Sequence, residues 1–456
     1  MDKQKSQNDL GTGSIGKLML RLAIPMVLAQ LVNVLYNMVD RMYIGNIAGT
    51  GAAALTGVGI TFPIIVIVSA FSGFVGTGGA PLASIKLGEG DHDGAERILG
   101  TGAAMLLGIS MLLMVLFLSF RRPVLMAFGA SENTINYALD YITVYLIGTP
   151  FVQCALGLNP YISAQGNART AMLSVVIGAA INIVLDPLFI FVFGMGVRGA
   201  ALATILSQAV SAVWVLRFLM SEKSAIRLRL DKVRLRLSLM GKIASLGISP
   251  FIMQSTDSLV QVVLNRGMLT YGGDMYVGTM TIILSVSQLF LTPIHGFTSG
   301  VQPIISYNFG ANNFDRVRAV FKRLLIVTVM LSTCTTLLTE LFPGAFVRLF
   351  NSDPQLIELT CKGMRIYMAG ICMFGIQISC QCAFVGLGQA KLSLFNALLR
   401  KIILLVPLAL IFPTFLGVNG VYLAEPVADV LAAIVTGLLF MMNFEKILER
   451  RAKATA

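Results

Sequence analysis

Charge is what this chain lacks most. Lys, Arg, Asp and Glu make up 12% of its 456 residues, against about 25% in an ordinary soluble domain. A soluble protein that is 56% hydrophobic would expose large apolar patches, so composition points to an integral membrane protein. Histidine is nearly absent, with two copies, and tryptophan occurs once. Two distant histidines offer no catalytic or zinc constellation, and no enzymatic activity is expected. The six cysteines (Cys154, Cys334, Cys361, Cys372, Cys380, Cys382) include no CxxC pair, which argues against a structural zinc or a disulfide framework. No Walker A motif occurs, so ATP is not the expected energy source. No small-residue cleavage site follows the first apolar run, which ends in "MVDRMYIGN", and a signal peptide is not expected. The net charge of +12 is not spread as a nucleic-acid face; it falls between apolar runs.

Those runs are what the chain has in abundance. At about 20 residues per span, twelve are expected: 17–44, 53–79, 97–119, 136–158, 170–193, 199–220, 243–270, 277–305, 321–341, 362–384, 393–415 and 419–443. Placing both termini in the cytoplasm puts 21 Lys and Arg on the inner segments and four on the outer ones, a bias that sets orientation. The expected location is the cell membrane, multi-pass. The basic segment 222–242 divides an amino-terminal lobe, 1–221, from a carboxyl-terminal lobe, 243–456.

The halves repeat each other. "GGAPLASIKLGEGDHD" resembles "SGVQPIISYNFGANNFD". At a constant shift of 222, Gly78 pairs with Gly300, Pro81 with Pro303, Ser84 with Ser306, Gly88 with Gly310 and Asp93 with Asp315. The shift persists through Tyr145 and Tyr367, Gly148 and Gly370, Gly166 and Gly388. Six spans per half is even, so both halves point the same way. The fold class is therefore all-α, twelve transmembrane helices in two six-helix bundles, related by a pseudo-two-fold axis along the membrane normal. Such bundles can rock about a shared cavity, which is transporter architecture.

Differences between the halves mark candidate function. At a shift of 225, Pro25 meets Pro250 and Arg41 meets Arg266, but Asp40 meets Asn265. In "INIVLDPLFIFVF", Asp186 meets Leu408. A carboxylate mid-membrane costs about 2.5–3.5 kcal/mol on insertion scales, and a purely structural one would be expected in both halves. Asn33, Tyr36, Asn37 and Asp40 form one polar stripe on the first span. Pro25 lies low on the same helix, where a bend is expected. Asn182 shares a face with Asp186, and Thr204 with Gln208. Asp40, Asn182, Asp186 and Thr204 can supply oxygens to a small hard cation; the two carboxylates can equally share or exchange a proton. A bland reading pairs Asp40 with Arg41 and makes the stripe helix–helix glue. The second half has its own polar set: Asp257, Gln261, Gln288, His295, Glu425 and Asp429.

With "MVDRMYIG" closing the first span, "NIVLDPLFIF" in the fifth, and the P…S…G segments after spans two and eight, the chain resembles the multidrug and toxic compound extrusion (MATE) family, in its prokaryotic DinF/MepA-like branch. The likeness covers nearly the whole chain. It implies a cation-coupling site at Asp40, Asn182, Asp186 and Thr204, which would be the metal ligands if the coupling ion is Na⁺, with Tyr36 beside them and Pro25 as the bend. The tenth span, "MRIYMAGICMFGIQISCQCAF", has no acid, so the resemblance does not extend to a carboxyl-lobe mechanism. Asn33, Tyr36, Asn37, Pro25, Gln153, Gln208, Asp257 and Gln288 are assigned to the substrate cavity or conformational switch. The implied activity is H⁺- or Na⁺-coupled antiport of amphipathic organic cations by alternating access, by a monomer needing no cofactor beyond the coupling ion. The cavity is expected to be lined by apolar and aromatic groups with a few carboxylates. The alternative is a lipid-linked saccharide flippase, which should show Arg or Lys inside spans; Arg266, Arg365 and Arg400 are the candidates.

Overall fold

A computed structural model of the chain describes residues 10–47, 49–350 and 353–455. Among these the secondary structure is helical throughout, with no strand. Among the described residues nine helices are long and apolar enough to cross a membrane, and two bent pairs bring the number to eleven. The twelfth is Leu237–Gly272. It is 36 residues long, but "QSTDSLVQVVLNR" dilutes its apolar content. Twelve spans in two bundles is thus the architecture.

The fourth and tenth spans are each two helices. Ile135–Ile147 meets Thr149–Ser163 at 59°, and Pro354–Met368 meets Ile371–Gly386 at 44°. The bends fall at Gly148 and Gly370, which the repeat equates. Neither position has room for a side chain: a Cβ would strike Ile205 at the first and the Pro426 backbone at the second. The first span behaves otherwise. Ile15–Gly45 is helical without interruption through Pro25, so the proline removes a donor without breaking the helix. The fifth span, Ala168–Pro187, continues as a π-helical turn, Leu188–Val192. Widening to i→i+5 bonding is a local answer to the donor missing at Pro187.

Four of the apolar clusters show how the lobes meet. One joins Leu10, Leu18, Met19, Leu22 and Ala23 of the first lobe to Phe297, Val301, Ile304, Ile305 and Phe384 of the second. Another joins Val75, Leu99 and Tyr161 to Ile243. A third, around Ile64, Tyr141 and Ile205, is wholly first-lobe, and a fourth, around Leu264, Met280 and Tyr422, wholly second-lobe. The crossing clusters sit at the end that carries the basic segments; the separate ones sit at the opposite end. The lobes therefore pack at the basic end and part at the other.

Polar ties reinforce the closed end. Asn308 Nδ2 donates to Leu10 O at 2.8 Å, Arg316 to Thr12 O at 2.6 Å, and Arg451 to Glu89 at 2.5 Å. The segment 222–242 is docked rather than loose. Ala225 N donates to Gln165 Oε1 at 2.7 Å, and Lys232 Nζ reaches both Asp93 and Glu96 at 2.6 Å. The hydrogen bond from Lys232 holds the Asp93 carboxyl below its ordinary pKa. The linker is also shorter than the sequence suggests, because the seventh helix begins at Leu237.

Candidate functional site

The first lobe builds its site from the first, fourth, fifth and sixth spans. On the fifth, Asn182 and Asp186 are 2% and 0% exposed. Asn182 Nδ2 donates to Asp186 Oδ1 at 3.2 Å and to Thr204 Oγ1, across on the sixth span, at 3.5 Å. Thr204 in turn donates to Ala200 O at 3.0 Å. Asp40, from the first span, lies close enough for its carboxyl and that of Asp186 to act on each other electrostatically. The four residues expected to act together are together.

They are also incompletely satisfied. Asp40 Oδ1, Asn182 Oδ1 and Asp186 Oδ2 are buried and receive no hydrogen bond from the protein. Two carboxylates side by side, with three oxygens lacking donors, suit a proton or a small monovalent cation. Among the described residues no three His, Cys, Asp or Glu side chains gather as a metal site. Arg41, the alternative partner for Asp40, lies over the Phe62 ring at 5.3 Å.

Sequence reasoning missed two residues here. Tyr141 and Tyr145, on the fourth span, stack with ring centroids 6.3 Å apart. Both rings are buried, and Tyr141 lies in the field of Asp40. Their i, i+4 spacing put two hydroxyls on one helical face, the signal that could have found them.

A cavity of about 260 Å³ adjoins the site. Asn33, Tyr36, Asn182, Thr204 and Gln208 line it, as do Gln302 and Ser306 from the second lobe. Its wall differs from expectation. No charged side chain and one aromatic, Tyr36, lines it; alanines and neutral Ser, Asn, Gln and Thr make up most of the surface. The carboxylates stand beyond it, because pairing them with each other and with Asn182 needs burial between helices. Tyr36 connects the two, lining the cavity while lying in the field of both aspartates.

The remaining candidates scatter. Asn37 is exposed and donates to Asn33 O at 2.6 Å. Pro25 is buried in the first helix below the cavity-lining residues. Gln153 is fully buried away from the cavity wall; its Nε2 donates to Val68 O at 2.8 Å and its Oε1 accepts from Ser72 Oγ at 2.9 Å. It ties the fourth span to the second. Asp257 and Gln288 belong to the other lobe and are exposed. An exposed carboxylate at membrane depth faces the opening between lobes rather than lipid.

Comparison with known proteins agrees with this architecture. The model of the MatE family matches residues 25–188 and 251–411, one copy in each lobe. The "Multidrug export protein MepA" of Staphylococcus haemolyticus is 25% identical over 92% of this chain and 92% of its own. Its Staphylococcus aureus (strain NCTC 8325 / PS 47) namesake is 24% identical over 93% of each. A solved structure, "MATE in the bent conformation", superposes with a TM-score of 0.92 at 24% identity, covering 98% of this chain and 99% of that one. With twelve spans in two like lobes and the family model matched across both, the chain belongs to the MATE (MatE) family of membrane transporters.

Proposed function

We propose that the protein exports amphipathic organic cations in exchange for inward H⁺ or Na⁺. The observation that carries this reading is the Asp40–Asp186 pair, whose buried oxygens lack donors and which adjoins a cavity between lobes that part at one end only. The names of the relatives support multidrug export as the broader activity. The loop charges support cytoplasmic termini in the cell membrane, so that the parted end faces outward. The chain acts as a monomer in this reading.

The mechanism is competition through linkage. A coupling ion arriving from outside neutralises Asp40 and Asp186. Asn182, which touches both site and cavity, and Tyr36, which lines the cavity in the field of both carboxylates, then change partners, and the substrate loses its electrostatic hold. Pro25 lowers the cost of changing the curvature of the first helix, because one backbone bond is already missing there. The saccharide flippase is less well supported. Arg400 is held by two carboxylates and Lys401 by a third, so neither is free for a pyrophosphate.

Asp40→Asn and Asp186→Asn keep shape and lose charge. Both should insert and lose gradient-driven export of a cationic dye from proteoliposomes, and the double variant should be no worse than either, as for residues acting as a unit. Normal export by both single variants, under H⁺ and Na⁺ gradients alike, would sink this reading.

A further inference from the structure

The second lobe holds a charge cluster that first-lobe coupling does not use. Arg400 donates from Nε to Asp429 Oδ1 at 2.6 Å and from Nη2 to Glu425 Oε1 at 2.7 Å. Its guanidinium lies over Phe374 at 5.0 Å. Lys401 pairs with Asp257 and donates to Met253 O at 2.7 Å. Arg400 and Lys401 sit on the π-helical stretch Leu399–Leu405, Glu425 and Asp429 one turn apart on Val418–Thr455.

The repeat shows what this cluster replaces. "GVRGAALATILSQ" aligns with "GVNGVYLAEPVAD" at a shift of 221, so Thr204 meets Glu425 and Gln208 meets Asp429. At the shift of 222, Gly178 and Ala179, which line the first-lobe cavity, meet Arg400 and Lys401. Where one lobe has neutral oxygens around an open space, the other has two carboxylates around two cations.

The charges do not balance. Three carboxylates face two cations. Asp257 has a side chain 67% exposed and Lys401 beside it, so the surplus falls on the buried pair. Glu425 and Asp429 have side chains 10% and 1% exposed, share one guanidinium, and each keeps a buried oxygen, Oε2 and Oδ2, that receives no hydrogen bond. Other titratable groups do not supply the missing charge. Tyr367, on Pro354–Met368, cannot carry a positive charge, Arg365 on the same helix donates to Glu340 O at 3.2 Å, the His295 ring packs against Phe374 at 5.8 Å, and Ile371–Gly386 carries no charged residue. An unpaired buried anion is neutralised rather than tolerated.

We propose that Glu425 and Asp429, held on Arg400, share one proton and form a second proton-binding site, independent of the Asp40–Asp186 pair. Protonated, the cluster is neutral and the orphaned oxygens become a donor and an acceptor. Asp257, exposed and paired with Lys401, the neighbour of Arg400 on the same π-helical stretch, is the member of the cluster open to water.

Infrared spectroscopy of the purified full-length D40N/D186N chain tests this. At neutral pH a protonated-carboxyl band should be present. E425Q and D429N should each abolish it, because either leaves one carboxylate matched to Arg400. R400Q, which removes the only cation of the pair, should double it. If these variants do not fold, the wild-type chain serves: the first-lobe pair contains only aspartates, so carbon-13 labelling of glutamate side chains should shift part of the acid band. A missing band, a band that survives either substitution, or an unshifted band in labelled wild-type protein overturns the proposal.

Discussion

Gly88 and Gly310 face each other's chains across the lobe boundary. A Cβ on Gly88 would collide with Tyr307 O, and one on Gly310 with Ile85 O. These are the two copies of one position in the repeat, and together they let the second and eighth spans touch backbone to backbone at the closed end. The contact can form only if neither carries a side chain.

Gly88→Ala should therefore wedge the closed end. Overpacking of this kind costs about 1–3 kcal/mol, seen as a lower Tm and as greater reactivity of a cysteine reporter placed at the basic end. Gly59→Ala is the control. A Cβ there meets nothing within 4 Å, so stability should hold or rise slightly, as for alanine replacing glycine in a helix. Equal loss in both variants would mean the close approach is not what matters.

Gln153→Ala should cost about 1–3 kcal/mol, because buried Ser72 and Val68 O lose their partner. Any change in export should follow the amount of folded protein. Normal stability with altered substrate preference would return Gln153 to the cavity role expected from the sequence.

Tyr141→Phe removes a buried hydroxyl that lies in the field of Asp40. If that hydroxyl serves the site, at about 1 kcal/mol for one polar contact, cation-driven export should fall roughly five-fold at subsaturating coupling ion, with the folded amount unchanged. An unaltered dependence on ion concentration would exclude Tyr141 from the site.

Lys232→Met should free the docked linker, exposing Arg227 and Arg229 to trypsin. Acid should do the same in the unaltered chain. The Asp93 pKa is lowered in the folded state by the bond from Lys232, so the tie is fully present above the ordinary carboxylate pKa and is lost as pH falls through the lowered value. Unchanged cleavage across that window would show that other contacts hold the segment.

Much of this was legible in one dimension. Spans appear as apolar length, because a bilayer has a thickness. The repeat appears as a constant shift, because two lobes that must match keep equivalent residues at equivalent spacing. Asp40 and Asp186 stand out because a charge in an apolar run has no cheap explanation, and the second copy, with Asn265 and Leu408, manages without it. Asn182 and Thr204 follow from helical spacing. Tertiary structure decided the rest. Spacing within a helix says nothing of which neighbour it meets, so Tyr141 was not singled out, Tyr145 was noted only as a repeat position, and Gln153 turned out to tie helices together. Charge counting along the chain cannot pair Arg400 with Glu425 and Asp429, which come from different spans and meet only once a π-turn and a helix pack. The cavity wall also could not be read from composition. Its neutrality arises because carboxylates at membrane depth are buried against each other, a choice made by packing between helices and not within them.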